Sequence, residues 1–309
     1  MIANYFSYRD YFPEPPEIYL ISKEGYNDYY DHLINRLERD RQFLIPWIDN
    51  VFPLKNKKIL EIGCGTGSST VAFAEQGATV FGVDIHQGSI NVSKDRLEIF
   101  GLDATLACAN GVDIFNDTIA EEFDCIAYIA VLEHMTLQER ILSLKQAWRK
   151  LPKGGYLIIQ EIPNRLWYFD DHTSQENFFM WLPDELAILY SPFCRRNRFN
   201  SVFNQMDYLN DSDEVLSNLN NVLNDSEKTK LARWGRGISY HDFVLAFNIP
   251  ACDLPVVSCM ELFIRDITNT KHLYNNTPWR EYENFLYKLN PNIHKGFYLK
   301  YLDLIFQKI

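Results

Sequence analysis

A chain of 309 residues with 47% hydrophobic content can fill one large domain, or a medium domain carrying an insertion, around a substantial core. Its formal net charge of −11, with no Lys/Arg block, lacks the basic footprint of a phosphate-tracking surface and argues against a nucleic-acid partner. No apolar run reaches the roughly 18 residues of a membrane span, and MIANYFSYRDYFPEPPE has neither a basic n-region nor an apolar h-region, so a cytoplasmic protein is expected. The cysteines (Cys64, Cys108, Cys125, Cys194, Cys252, Cys259) form no C-x-x-C pair and read as reduced, structural thiols.

Tyr5, Tyr8, Tyr11, Tyr19, Tyr26, Tyr29 and Tyr30 crowd the N-terminus, which predicts a packed segment rather than a disordered tail. Over residues 25–50, Tyr26, Tyr30, Leu33, Leu37, Leu44 and Ile48 recur at largely helical spacing, with Pro46 expected as a break. From Lys57 to Gln160, strands and helices alternate: KKILEI strand, SSTVAFAEQG helix, TVFGVDI strand, GSINVSKDRLEIFG helix, DATLACA and FDCIAYIA strands, a helix over Leu137 to Lys150, and GGYLIIQEI strand. That alternation predicts an α/β, Rossmann-like, doubly wound and mostly parallel sheet with helices on both faces.

Beyond Pro163 the aromatic, turn-rich PNRLWYFDDHTSQENFFMWLPDELAILYSPFCRRNRFN and the polar helical DSDEVLSNLNNVLNDSEKTKLARW suggest an insertion. ISYHDFVLAF and VVSCMELFIRD have strand character, whereas WREYENFLYKLN and GFYLKYLDLIFQKI read as amphipathic helices. The resulting division is an N-terminal helical cap (1–56), a Rossmann-like core (57–162), a lid or acceptor-binding insertion (163–236), and C-terminal strands and helices completing the core (237–309).

The functional signal sits in ILEIGCGTGSST, where Gly63, Gly65 and Gly67 alternate directly behind the first strand. Such a loop lets the backbone turn sharply and a ligand lie against it. A dinucleotide fingerprint would need Gly or Ala at Ser68. A carboxylate at the loop's mouth, expected from Glu61, would repel a pyrophosphate and attract a cationic amino group. Asp84, ending the second strand, is placed to accept hydrogen bonds from ribose hydroxyls, although aspartate there is also a favoured helix cap. The ligand implied is a nucleoside with a cationic tail.

In order and spacing, ILEIGCGTG, VFGVDI, FDCIAYIAVLEHM and LPKGGYLII resemble the successive motifs of class I S-adenosylmethionine-dependent methyltransferases, and VLEHM is most similar to the branch containing the ubiquinone-pathway O-methyltransferases. The resemblance covers about residues 57 to 160. It implies that Gly63, Cys64, Gly65 and Gly67 line the methionine and ribose portions of S-adenosylmethionine, with Glu61 near its amino group. It further implies that Asp84 holds the ribose, Ile85 packs on adenine, and Asn110 with Gly111 stands where the family usually has an acidic residue for the adenine amino group. Ala130 and Val131 would face methyl transfer, just before Glu133 and His134.

His172 in FDDHTS and His134 are the candidate bases; a polar Asx-turn loop and a structural hydrogen-bonder are the bland readings of each. His241 is a weaker candidate, Trp167, Tyr168, Phe178, Phe179 and Trp181 read as lid core, and Arg195, Arg196 and Arg198 as a solvated face. No H-E-x-x-H or clustered Cys/His commends a metal site, so metal-independent transfer to a hydroxyl of a small-molecule or glycan-like acceptor is expected. N- or carboxyl-methylation, an inactive cofactor-binding partner protein and a nicotinamide dehydrogenase are the competing readings, and a homodimer is left open.

Overall fold

In the computed structural model, residues 16–115, 122–203, 224–268 and 277–309 are described. Tyr5, Tyr8 and Tyr11 lie outside them. The sheet is built from β1 (Lys58–Ile62), β2 (Thr79–Asp84), β3 (Thr105–Cys108), β4 (Cys125–Ile129), β5 (Tyr156–Pro163), β8 (Val256–Cys259) and β9 (Tyr301–Gln307). Its order is β3-β2-β1-β4-β5-β9-β8, and β9 alone runs antiparallel to its neighbours. The order reverses between β1 and β4, which opens a crevice at the carboxyl ends of those two strands.

Along the chain the helices are α1 (Pro16–Ile21), α2 (Lys23–Tyr30), α3 (Arg36–Arg39), α4 (Ile45–Asp49), α5 (Ser68–Glu75), α6 (Gln87–Phe100) and α7 (Leu137–Lys150). They continue as α8 (Asp184–Tyr190), α9 (Asn197–Phe203), α10 (Asp225–Trp234), α11 (Tyr240–Phe247), α12 (Met260–Ile267) and α13 (Pro278–Leu289). None among the described residues is long and apolar enough to cross a membrane. Alternate strand residues feed two cores. Leu60, Ile126, Leu157 and Phe306 pack with Trp148 and Phe243 on one face, and Ile59, Cys125, Ile158 and Ile305 with Trp47 and Phe73 on the other. Burial on both faces explains why these strands read as continuous apolar runs.

The C-terminal region departs from the sequence expectation. GFYLKYLDLIFQKI forms β9 rather than a helix, because Leu302, Leu304 and Phe306 serve one core and Ile305 the other. ISYHDFVLAF is mostly α11: Ser239 and Asp242 form a reciprocal capping box that starts a helix, and only Ile238 bridges, to Asn164. VVSC is strand, but MELFIRD is α12.

Pro46 does not break the N-terminal helix either. It sits in the first turn of α4, and the run continues through π-helical turns Asp31–Asn35 and Asp40–Leu44. Arg96 of α6, almost wholly buried, steadies this run by donating from Nη2 to the His32 carbonyl (2.5 Å) and from Nη1 to that of Leu33 (3.2 Å).

The stretch between β5 and α11 carries the hairpin β6 (Phe169–Asp170) and β7 (Glu176–Asn177), and its helices share a small core of Phe179, Ile188, Phe199, Phe203 and Leu231. Phe179 and Trp167 are buried as lid-core residues should be, whereas Phe178 and Trp181 are about half exposed. Of the three arginines read as a solvated face, only Arg195 is mostly exposed. Arg196 pairs with Glu24 of α2 (3.7 Å) and Arg198 lies 3.9 Å over the Tyr19 ring, so this face fastens the insertion to the N-terminal helices. Asn164 of PNRLW is structural: its Nδ2 donates to the carbonyls of Phe297 (2.8 Å) and Leu299 (2.6 Å).

Asp40 is buried on the N-terminal run, and its pKa is pushed up to about 8 by burial and then by Glu161 and Glu61, which outweigh Arg36 and Arg39. Between about pH 4 and pH 8 the folded chain therefore holds a proton that the unfolded chain has released, so stability falls as pH rises through that window. Thermal melts should show a higher midpoint at pH 6 than at pH 8, and Asp40→Asn should raise the midpoint at pH 8 and flatten the slope. An unchanged slope in the variant would contradict the assignment.

Candidate active site

The glycine loop is shaped by what each position touches. Gly63 and Cys64 both donate their N–H to the Val83 carbonyl of β2 (2.8 and 3.0 Å), which pins the start of the loop. Gly63 has φ +74°, and a Cβ there would collide with the Val131 side chain just past β4, while one on Gly67 would collide with Ser93 of α6. Gly65, at φ +52°, has open space above it, with no neighbour closer than the Gly63 carbonyl at 4.0 Å. The first and third glycines allow packing; the middle one leaves room for a ligand.

Asp84 is held by backbone N–H groups from both sides, although the cap of the helix that follows is His86. Asp84 Oδ2 accepts from Gly65 N (3.0 Å) and its Oδ1 from His86 N (2.9 Å), so it braces the loop and the entry to α6 while remaining only partly buried. Burial raises its pKa, against the pull of those two N–H groups. Ile85, next in the chain, is 58% exposed, an apolar surface available to a flat ring.

The expected position of Glu61 is corrected, and the side chains of Cys64 and Asn110 have local neighbours. Glu61 is not at the mouth of the loop; it is fully buried behind it, accepting hydrogen bonds from Ser69 and from Thr70 Oγ1 (2.6 Å) on the first turn of α5. Burial pushes its pKa up to about 7 despite those hydroxyls. The Cys64 thiol is buried beneath the loop against Gly82, so only its backbone can border a ligand. Asn110 spends its Oδ1 on Val112 N (2.9 Å), and Gly111 is buried against Ile62 with its carbonyl accepting from Ser143 Oγ (2.9 Å).

Beyond Val131 the chain makes a 3-10 turn, Leu132–His134. Ala130 before it is left-handed at φ +49°, and so is Glu161 on the neighbouring β5 at φ +61°, where β5 bulges against β9 and Asp303 accepts the Glu161 N–H (2.7 Å). Two non-glycine residues in this region, side by side at the strand ends, mark a strained rim.

His134 and His172, remote in sequence, meet on this rim with ring centroids 5.3 Å apart. Glu133 lies with them, fully buried: its Oε1 is 3.8 Å from His134 Nε2 and 3.9 Å from His172 Nε2. His134 Nδ1 faces the Arg233 carbonyl (2.9 Å), and His172 Nδ1 faces Thr173 Oγ1 (3.0 Å). Asp170 organises the FDDHTS turn by accepting from the N–H groups of His172, Thr173 and Ser174, as the Asx-turn reading expects. Gly235 leaves room for the His172 ring, and Arg233 bonds Glu139 with both of its Nη atoms at 2.7 Å, fixing α10 against the turn. Burial holds both imidazoles below the ordinary histidine range and pushes Glu133 up to about 8. His241 is not part of this group: it is exposed at the start of α11, with Nδ1 3.0 Å from Ser239 Oγ. The third member, Glu133, has no distinguishing sequence signal beyond adjacency to His134.

Residues 60–159 match the family model described as a methyltransferase domain. The ubiquinone biosynthesis O-methyltransferase of Coxiella burnetii is 31% identical over 131 residues, covering 42% of this chain and 52% of that protein. Its namesake from Pseudomonas entomophila is 27% identical over 118 residues, covering 38% and 50%. The chain thus spans about half the length of the curated relatives it matches. Among solved structures, an S-adenosylmethionine-dependent methyltransferase from Clostridium acetobutylicum aligns with a TM-score of 0.38 at 22% identity, over 48% of this chain and 64% of that one. The glycine loop and Asp84 both lie within the segment 60–159, which is similar to the methyltransferase domain family.

Proposed function

We propose that the chain is an enzyme that transfers the methyl group of S-adenosylmethionine to a hydroxyl of a small-molecule or glycan-like acceptor. The observation that carries this reading is convergence at one end of the sheet: open space over Gly65, the Asp84 carboxylate beside it, and the Glu133, His134 and His172 group just past Val131. The residues present fit the cofactor. Asp84 keeps lone pairs for ribose hydroxyls, Ile85 offers an apolar face to adenine, and the Gly65 backbone leaves space for the chain between them. Asn110 and Gly111 border the adenine side in this proposal without directing a free acceptor at the ring. Burial first, and then the nearby Glu161 and Glu61, raise the pKa of Asp40, and a cluster of acidic groups of this kind would favour a ligand whose tail carries ammonium and sulfonium charges.

The cofactor, when bound, supplies an electrophilic methyl group on a positively charged sulfur. The protein aligns the acceptor oxygen behind the carbon–sulfur bond and excludes water, which is where most of the acceleration of an in-line displacement arises. An oxygen–carbon bond forms as the carbon–sulfur bond breaks, and the hydroxyl proton leaves. The Glu133, His134 and His172 group would take up that proton, which favours a hydroxyl acceptor: a neutral amine or a carboxylate needs no such group. The similarity to ubiquinone biosynthesis O-methyltransferases supports the same choice. In this proposal the described residues of the N-terminal cap (16–56) and of the insertion (163–203 and 224–236) close over the cofactor end of the core, a role in keeping with the Arg196–Glu24 and Arg233–Glu139 fastenings.

Titration calorimetry with S-adenosylhomocysteine separates the readings. Gly65→Val should abolish binding and Asp84→Ala should weaken it at least about tenfold, the loss of one charged hydrogen-bonding group. Affinity unchanged in both variants, or binding of a nicotinamide dinucleotide instead, would overturn the assignment. With methyl-labelled cofactor and pooled hydroxylated metabolites, fragmentation of the labelled product should place the methyl on oxygen; label on nitrogen or on a carboxylate would shift the function to the alternative class.

A further inference from the structure

We propose that Glu133, His134 and His172 form a binding site for one divalent transition-metal ion of the zinc type. The argument starts from hydrogen-bond directions. The Arg233 carbonyl can only accept, so His134 Nδ1 must carry the proton of their 2.9 Å bond. Thr173 Oγ1 donates to the carbonyls of Trp234 (3.1 Å) and Gly235 (2.8 Å), which makes it the acceptor for His172 Nδ1–H. Each imidazole therefore presents a bare lone pair at Nε2. Both lone pairs face Glu133, whose carboxylate oxygens are buried and have no hydrogen-bond partner among the described residues. Three ligand atoms thus converge within 4.8 Å of one another, and among the described residues no hydrogen bond satisfies the Glu133 oxygens.

A cation resolves that conflict. Two imidazoles and one carboxylate are a donor set for zinc, manganese, iron or cobalt, and the nitrogen ligands disfavour magnesium and calcium. Neighbouring donor atoms around a tetrahedral zinc ion are separated by about 3.3 Å, so the 3.8 and 3.9 Å spacings require contraction by only about half an ångström. The Nδ1–H groups are tied to a carbonyl and a hydroxyl, the outer contacts that fix the orientation of metal-bound histidines. Three protein ligands leave a position open, and the site follows Val131, which packs on Gly63 of the loop. An ion there would act as a Lewis acid on the acceptor hydroxyl, favouring its ionised form. That role rests on the methyltransfer reading above; metal binding itself does not. It replaces the sequence expectation of metal-independent transfer, which arose because the ligands are too far apart in the chain to form a recognisable spacing.

The test uses the full chain, stripped with chelator and titrated with cobalt(II), whose visible d–d bands report nitrogen ligation. One equivalent should bind with intense bands, and zinc should displace it. His172→Ala and Glu133→Gln should each lower cobalt affinity at least tenfold while S-adenosylhomocysteine still binds, which certifies the fold and keeps this result separate from the cofactor reading. Thr173→Val, which touches no metal, should weaken affinity by about ten- to a hundredfold. No cobalt uptake by the unmutated chain, or uptake equal in all the variants, would overturn the proposal.

Discussion

The close approach of the glycine loop to the end of β4 is the constraint on which the rest of the site depends. Gly63 lies against Val131, so the cofactor loop and the turn that carries Glu133 and His134 form one rigid contact rather than two independent loops. A side chain at position 63 would need both a left-handed backbone and the space that Val131 occupies. Because β1 and β4 are adjacent parallel strands, that contact sits where the strand order reverses, the one edge of an open α/β sheet at which a ligand can enter without breaking the hydrogen-bond ladder.

A second theme is the density of buried carboxyl groups. Asp40, Glu61, Glu133 and Asp303 all lie in low-dielectric surroundings, and burial raises the pKa of each. Their partners differ, and so do their consequences. Glu61 is satisfied by two hydroxyls and acts as a brace, and Asp303 accepts the N–H at the β5 bulge. Asp40 has like-charged neighbours, and Glu133 faces two imidazole lone pairs with no hydrogen-bond partner among the described residues. Carboxyl groups in the latter two situations are costly in an empty fold and become favourable when a positive ligand arrives.

Local patterns made the β1-to-β5 core legible. Strand runs bounded by Gly77, Gly101 and the 154–155 glycines gave the alternation, and positive φ at Gly77, Gly101 and Gly154 shows why those residues end their elements. What the pattern could not give was residue contact across the sheet. β9 looked helical because its neighbouring residues serve opposite cores, and α11 looked strand-like because its apolar content masks a capping box. Around the candidate site, Gly65 follows β1 and Asp84 and Ile85 stand at the end of β2, positions legible in the sequence because each is set within its own βα turn. Glu61 was misplaced because a strand's alternation does not say which side of the loop its last residues serve. The meeting of His134 with His172 depends on the fold of the segment after β5, and no spacing in the chain announces it.

The most direct measurement is a crystal structure of the full chain with S-adenosylhomocysteine. The ribose hydroxyls should lie on Asp84, the adenine against Ile85, the homocysteine backbone over Gly65, and the sulfur should turn toward Glu133, His134 and His172. A ligand bound away from Gly65, or one whose sulfur is directed to the opposite side of the loop from that group, would contradict this placement.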